Sequence, residues 1–396
     1  MPGRFRAIPW DYFFLLWFLT ESWFNHTIIG TLGQAFFMLY SMYKCLSIKR
    51  FCWSFFLIYY FLFCVVCYLN IYLGYAISPD HSHKMLGVVL RNFVFIFFLY
   101  QYIHYVSTES FLPFFAKACC ISSFGILLIF YLNTGGFYMH DDDSLGIINA
   151  NIQSVIDGFI IAWMIINKRY KGNDLLLLLF LFLFILLSGT KKSIITIIVV
   201  VGINMVLKNP KHIIRNLSGI LALLVVLYIV LMKIPAVYDM IGSRFETLFS
   251  FMEGGDTDSS TKARDNFIEL GLLYWADSPI WGRGLNSFGY LYGDDTTYSH
   301  NNYVELLCSV GIVGLISYYL MYIHAIISFI RVNNRIVTPL ALSIIISFLI
   351  TDYALVSYFE RVLYIPIVLV YVLLSESREA PHNTLIKKQL KNLQLS

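Results

Sequence analysis

The chain has 396 residues, of which 58% are hydrophobic and only 13% charged. A soluble globular chain carries about 25% charged residues, so this composition excludes a soluble enzyme and predicts a polytopic integral membrane protein. The formal net charge of +4 records loop basicity and orientation rather than an acidic partner, and nothing supports nucleic-acid binding.

Arg4 and Arg6 precede a first apolar run without a small-residue cleavage site, which reads as an anchor rather than a removable signal. Apolar segments long enough to span, or nearly so, then fall at about 9–24, 27–46, 51–73, 85–106, 113–133, 146–166, 174–189, 191–207, 216–234, 303–330, 336–352 and 361–376. A span needs ~20 residues. The expected fold is therefore an all-α polytopic membrane protein of about twelve transmembrane helices, a single membrane domain over 1–396.

Alternate connections carry Lys49 and Arg50, then Lys168, Arg169 and Lys171, then Lys208, Lys211 and Arg215, then Arg331 and Arg335. With twelve spans these fall on one side, together with the N-terminal arginines and a basic tail at 377–396. The positive-inside rule makes that side cytoplasmic. The seven cysteines sit in or beside apolar segments and read as small buried residues, not as disulfides or metal ligands.

One outer loop, 235–300, is far longer than the rest. Long loops inside compact domains are usually functional or disordered, and this one is not low-complexity. Its stretch "TKARDNFIELGLLYWADSP" intersperses Phe267, Ile268, Leu272 and Trp275 among polar residues. That pattern predicts a short interfacial helix ended by Pro279. The following "DSPIWGRGLNSFG" does not match a dinucleotide fingerprint. Its glycines read as a tight turn where backbone approaches a ligand or another helix.

Cations on the outer side escape the positive-inside explanation. They are Lys191, Lys192, Lys233, Arg244, Lys262, Arg264, Arg283 and Arg361, with His300 at the mouth of a span. They are either a solvated, headgroup-contacting face or a phosphate site, for which arginine's planar fork is suited. Asn302 followed by Glu305 resembles a capping box. A helix start favours a bound anion and disfavours protonated His300; His300 is then either an imidazole able to accept a proton or only an interfacial hydrogen-bonder. The acidic turn "HDDDS" at 140–144 reads as solvated rather than as a metal site. Arg91, Lys117, Asp157, Asp352 and Glu360 are the charges within or near spans, and intramembrane charges are functional suspects.

"SGTKKS" after an apolar helix, then "TKARDNFIELGLLYWADSPIWGRGLNSFG", then "YSHNNYVELLCSVGIVGLISYYLMY" resemble the O-antigen ligase/polymerase superfamily of bacterial membrane glycosyltransferases. The resemblance is strongest over roughly 185–325. The family pattern usually places arginine where Lys191 stands. Arg264 fits the arginine that opens the surface helix, His300 the histidine before the late helix, and Arg244 a further arginine.

The resemblance implies a metal-independent enzyme without cofactor at the periplasmic face of the bacterial inner membrane. Its substrates would be oligosaccharides on polyprenyl pyrophosphate, presented from membrane lipid, and a chain-length regulator would be a partner by analogy. On this reading Arg244, Arg264, Arg283 and Lys191 bind pyrophosphate and Arg264 also stabilises the departing charge. His300 serves the acceptor hydroxyl, and Glu305 assists or caps. The favoured activity is polymerisation of O-antigen or capsule from lipid-linked repeat units. The alternatives are ligation of polymer to lipid A core and a lipid-linked sugar flippase. A flippase would line a midplane cavity with polar groups, whereas this sequence gathers them near one surface.

Overall fold

The computed structural model describes residues 28–48, 51–137, 139, 150–169, 171–233, 238, 259–294 and 297–393. The first expected span at 9–24, Arg4, Arg6, Arg244 and the acidic turn at 140–144 lie outside the described residues.

Among the described residues the fold is helical and contains no strand. In chain order the helices are α1 (Ile28–Ile48), α2 (Phe55–Tyr72), α3 (Pro79–Val106), α4 (Thr108–Thr134), α5 (Ala150–Ile166), α6 (Asn173–Ser188) and α7 (Lys191–Lys208). They continue with α8 (Ile213–Lys233), α9 (Ser259–Ala276), α10 (Ser287–Tyr292), α11 (Asn302–Val332), α12 (Val337–Thr351) and α13 (Tyr364–Leu393). Hydrocarbon offers no partner for backbone amides, so each apolar segment satisfies its own as a helix. Ser54 accepts the Phe56 amide to start α2, Pro79 opens α3 and left-handed Gly135 and Gly189 end α4 and α6.

A helix stands at each expected span from 27–46 onward. Four of them, α2, α3, α4 and α11, are long and apolar enough to cross a membrane, while α5, α6 and α12 are shorter apolar helices. The last helix does not stop near 376 but runs on to Leu393.

The core is aromatic. Tyr60, Phe63, Tyr318, Tyr358, Tyr364 and Tyr371 are buried, and edge-on contacts such as Tyr60–Tyr364 (5.1 Å) and Phe63–Tyr318 (5.2 Å) join α2, α11 and α13. Each such pair adds about 0.5–1.5 kcal/mol beyond area burial. A second seam joins α5, α7 and α12. There Gly158 lies so close to α7 that a Cβ would sit 2.9 Å from the Ser193 carbonyl oxygen. Buried Asp157 belongs to this region. Its carboxylate accepts from Ser123 Oγ (2.6 Å) and Gln153 Nε2 (2.8 Å), and Gln153 accepts from Ser122 (3.0 Å). Both carboxylate oxygens are satisfied, so Asp157 clamps α4 to α5. Arg91 and Lys117 are exposed.

The decisive departure from a simple bundle is inside α11. Gly311 has φ 64° and ψ −166° in the middle of the helix. In a straight helix Asn302 and Tyr319 would be roughly 25 Å apart along the axis. Instead Asn302 Nδ2 donates to the Tyr319 hydroxyl at 3.0 Å, and the Tyr303 and Tyr319 rings stack at 5.0 Å. The helix therefore folds back at Gly311 into a short arm, 302–310, and a long arm, 312–332. The long arm is roughly 30 Å, long enough to span by itself. The sequence predicts a single span from 303 to 330; the structure replaces it with a hairpin.

The break frees carbonyls at the end of one arm and amides at the start of the other, and a single loop satisfies both. Cys308 and Ser309 carbonyls accept from the Arg283 and Gly284 amides, each at 2.8 Å. Ile312 and Val313 amides donate to the Pro279 and Ile280 carbonyls at 3.0 and 3.2 Å. The same loop is tied to α2 and α3. Asn70 donates to the Trp281 carbonyl, Ser82 to the Leu285 carbonyl at 3.1 Å and the Tyr75 and Trp281 rings stack at 5.6 Å. The glycine turn thus approaches another helix, as one of its two sequence readings expects.

Candidate active site

Folding back at Gly311 carries the start of α11 inward. The turn 298–301 lies beside Tyr319, about 12 Å down the long arm from Gly311 at helical rise. His300 is thus half-buried beside the long arm of α11.

The turn is built to hold one side chain out. Ser299 is buried and donates from its hydroxyl to the Asn301 carbonyl at 2.9 Å. Its amide donates to Glu305 Oε2 at 2.9 Å. Asn301 Oδ1 accepts the Tyr303 and Val304 amides at 3.0 and 3.1 Å. Both neighbours of His300 are pinned, and His300 itself takes a left-handed φ of 55°. That conformation is uncommon for a residue with a Cβ and costs on the order of 1 kcal/mol. The imidazole projects between Tyr298, with ring centroids 4.2 Å apart, and Phe267, nearly parallel at 5.9 Å.

These bonds correct the expected capping box. The N-cap is Asn301, not Asn302, and Glu305 closes on Ser299. Glu305 is 1% exposed and sits beneath the turn, where it positions His300. Asn302 turns the other way because the 352–358 connection needs its side chain. Its Oδ1 accepts the Ser357 and Tyr358 amides at 3.0 and 3.1 Å, and its own amide donates to the Asp352 carbonyl at 2.8 Å. Tyr319 donates to Asp352 Oδ2 at 2.7 Å. Asp352 is therefore a buried tie between the short arm and the end of α12.

Helix α9 supplies the next groups. Arg264, Phe267 and Gly271 are spaced i, i+3, i+7 and so share one face. Gly271 fixes that face against α11, because a Cβ there would collide with the Val304 side chain. Phe267 then meets His300, and Arg264 lies one turn further along. From the other side comes the start of α7. Its first turn carries Lys191 and Lys192 at the positive end of the helix dipole, where cations are disfavoured and anions welcome.

Burial first, then the charges of Arg264 and Lys192, push the His300 imidazole from 6.5 down to about 4. The imidazole is neutral at physiological pH. The same effect identifies the cations that surround it. The sequence reading chose Lys191 for this role; the charge of its neighbour Lys192, in the same first turn of α7, acts on His300. Arg283 is engaged elsewhere, 3.0 Å from Asp277, with its backbone on the Gly311 break. Arg244, outside the described residues, has no placement here. Sequence spacing also gave no hint of the Phe267 and Tyr298 rings around the imidazole.

The connection between α12 and α13 closes the remaining side. The Phe359 ring meets Tyr298 edge-on at 6.2 Å, and the Phe359 carbonyl accepts from Asn92 at 2.9 Å. Next to it, burial pushes the Glu360 carboxyl up to about 7, with Arg361 acting in the opposite direction. No group of three or more His, Cys, Asp or Glu arranged to hold a metal occurs among the described residues.

Residues 176–319 match the family model described as O-Antigen ligase. This region of the chain is similar to the O-antigen ligase family. No curated protein matches the chain. The O-antigen ligase region takes in α6, α7 and α9, the loop 279–284, the turn 298–301 and the hairpin arm of α11. It therefore contains Lys192, Arg264, His300 and Glu305, whereas Asp352 and Glu360 lie beyond it and join the site only through the fold. With its apolar helices, the chain is a multi-pass membrane protein.

Proposed function

We propose that this protein polymerises a surface polysaccharide by moving the growing glycan from polyprenyl pyrophosphate onto a lipid-linked repeat unit. The observation that carries this reading is the convergence of Arg264 and Lys192 on a neutral His300. A glycan on lipid pyrophosphate already has a good leaving group; its departing charge must be met and the incoming hydroxyl must lose a proton. The acceptor oxygen attacks the anomeric carbon as the bond from that carbon to the pyrophosphate oxygen breaks. The electron pair leaves with the polyprenyl pyrophosphate, opposite Arg264 and Lys192 and near the start of α7. The hydroxyl proton passes to a His300 ring nitrogen.

The depressed basicity of His300 fits this order of events. Burial first, and then the charges of Arg264 and Lys192, make protonation costly. A bound pyrophosphate would offset the cationic part and so strengthen the imidazole as a proton acceptor when donor is present. Lys191 and, on the family resemblance alone, Arg244 are assigned to pyrophosphate binding, and Glu305 to positioning. Twelve spans, the loop 235–300 on the periplasmic face and residence in a bacterial inner membrane complete the reading; the basic alternate loops support it.

A second reading, ligation of finished polymer onto lipid A core, is favoured by the description of the matched family and uses the same donor chemistry. Product pattern separates the two. A deletion strain that makes only a one-repeat product identifies a polymerase; long chains stranded on the carrier identify a ligase. In that strain, His300→Ala and Arg264→Ala variants are expected to insert normally and restore no polymer. Full restoration by both would overturn the assigned roles.

A further inference from the structure

The imidazole is one member of a continuous aromatic surface. Phe288 is fully buried and anchors it. Tyr292 lies parallel to Phe288 at 6.2 Å and 8°, and meets Phe267 edge-on at 5.3 Å. Phe267 in turn stacks on His300, which touches Tyr298. Tyr292 nevertheless leaves 46% of its surface exposed. Phe288 and Phe267 hold the ring while nearly half of the residue's surface stays open.

This open ring surface continues directly into the imidazole and, through the shared face of α9, into Arg264. An occupant must therefore offer an apolar face to rings and polar groups to imidazole and cations. A pyranose does so: its axial C–H bonds cover an aromatic face while its rim of hydroxyls remains free. An acyl chain would leave the imidazole and guanidinium without partners, and phosphate alone would leave the rings uncovered.

We propose that Phe267, Tyr292 and Tyr298 form the acceptor-sugar platform, holding the pyranose whose hydroxyl reaches His300. The platform acts by orienting the acceptor, so it sets the concentration at which the enzyme half-saturates more than the rate of the chemical step. The proposal rests on the glycosyl-transfer reading above.

The test uses full-length protein in native membranes and, as probe, the lipid-linked repeat extracted from a deletion strain. Tyr292→Leu keeps an apolar side chain for any lipid contact but removes the ring face. It is expected to raise KM about tenfold with kcat within about twofold. Tyr292→Trp is expected to stay near wild type, and Phe267→Leu to behave as Tyr292→Leu does. Tyr290→Leu is the control, since Tyr290 is also exposed but packs on His81; it is expected to be unchanged. Tyr292→Ser provides a second removal of the ring should the leucine variant fold poorly. If wild type transfers glycan, His300→Ala does not, and the Tyr292 and Phe267 variants keep the wild-type KM, the platform is wrong and the transfer reading stands. If wild type itself transfers nothing from this probe, the transfer reading fails and the platform with it.

Discussion

Asn302 Nδ2 lies 3.0 Å from the Tyr319 hydroxyl although 17 residues separate them on one helix. The contact exists because Gly311 reverses the chain, and the reversal lays the turn that bears His300 beside the long arm. A Cβ on Gly282 would sit 2.6 Å from the Gly311 amide nitrogen, and one on Gly311 would collide with the Ile280 carbonyl. Both glycines also have positive φ, 71° and 64°.

Gly311→Ala and Gly282→Ala are therefore expected to destabilise the protein by about 3 kcal/mol or more, through backbone collision added to an unfavourable φ. Gly293→Ala is the comparison. Its φ is 87° but no atom lies within 4 Å of the added Cβ, so only about 1 kcal/mol of strain is expected. Thermal unfolding of the three variants in one detergent ranks them. Equal melting points for Gly293→Ala and Gly311→Ala would contradict the close-packed hairpin.

Removing the Asn302 side chain leaves the Ser357 and Tyr358 amides without their acceptor. Each unpaired buried amide costs about 1–3 kcal/mol. Asn302→Ala is expected to lower the melting temperature and abolish transfer, because the turn bearing His300 loses its tie to the 352–358 connection. A stable, active Asn302→Ala protein would show that the tie is dispensable.

His300 offers a titration test. Its folded-state value of about 4 lies below the ordinary 6.5, so the fold favours the neutral form. That contribution to stability is complete above about pH 6.5 and is lost as pH falls toward 4. Arg264→Gln should raise the His300 value by removing one opposing charge, and inorganic pyrophosphate should raise it in the wild type. The pH dependence of His300 modification by diethyl pyrocarbonate, read by mass spectrometry, reports both. An unmoved profile in both cases would exclude the donor-dependent base.

The two lysines that open α7 should not be equivalent. Lys192→Met is expected to lower kcat/KM by about 10²-fold, the scale of one lost charge-stabilising group. Lys191→Met is expected to cost less than about tenfold, because the Lys192 charge is the one that acts on His300. Matched initial-rate measurements decide, and a larger loss at Lys191 would reverse the assignment.

The membrane class, the helical segments from 27–46 onward and the helix within the long loop were legible in the sequence. Composition and apolar run length act locally, and a backbone in hydrocarbon has only one economical way to satisfy itself. The hairpin at Gly311, the packing of the His300 turn beside the long arm, the Asn301 cap and the action of the Lys192 charge on His300 were decided by tertiary structure alone. Each depends on which face of a helix meets a neighbour and on a distant loop supplying hydrogen bonds to a broken helix. A run of apolar residues interrupted by one glycine looks the same whether the chain goes straight or doubles back. The loop 279–284 and its contacts with α2, α3 and both arms of α11 determine which it does.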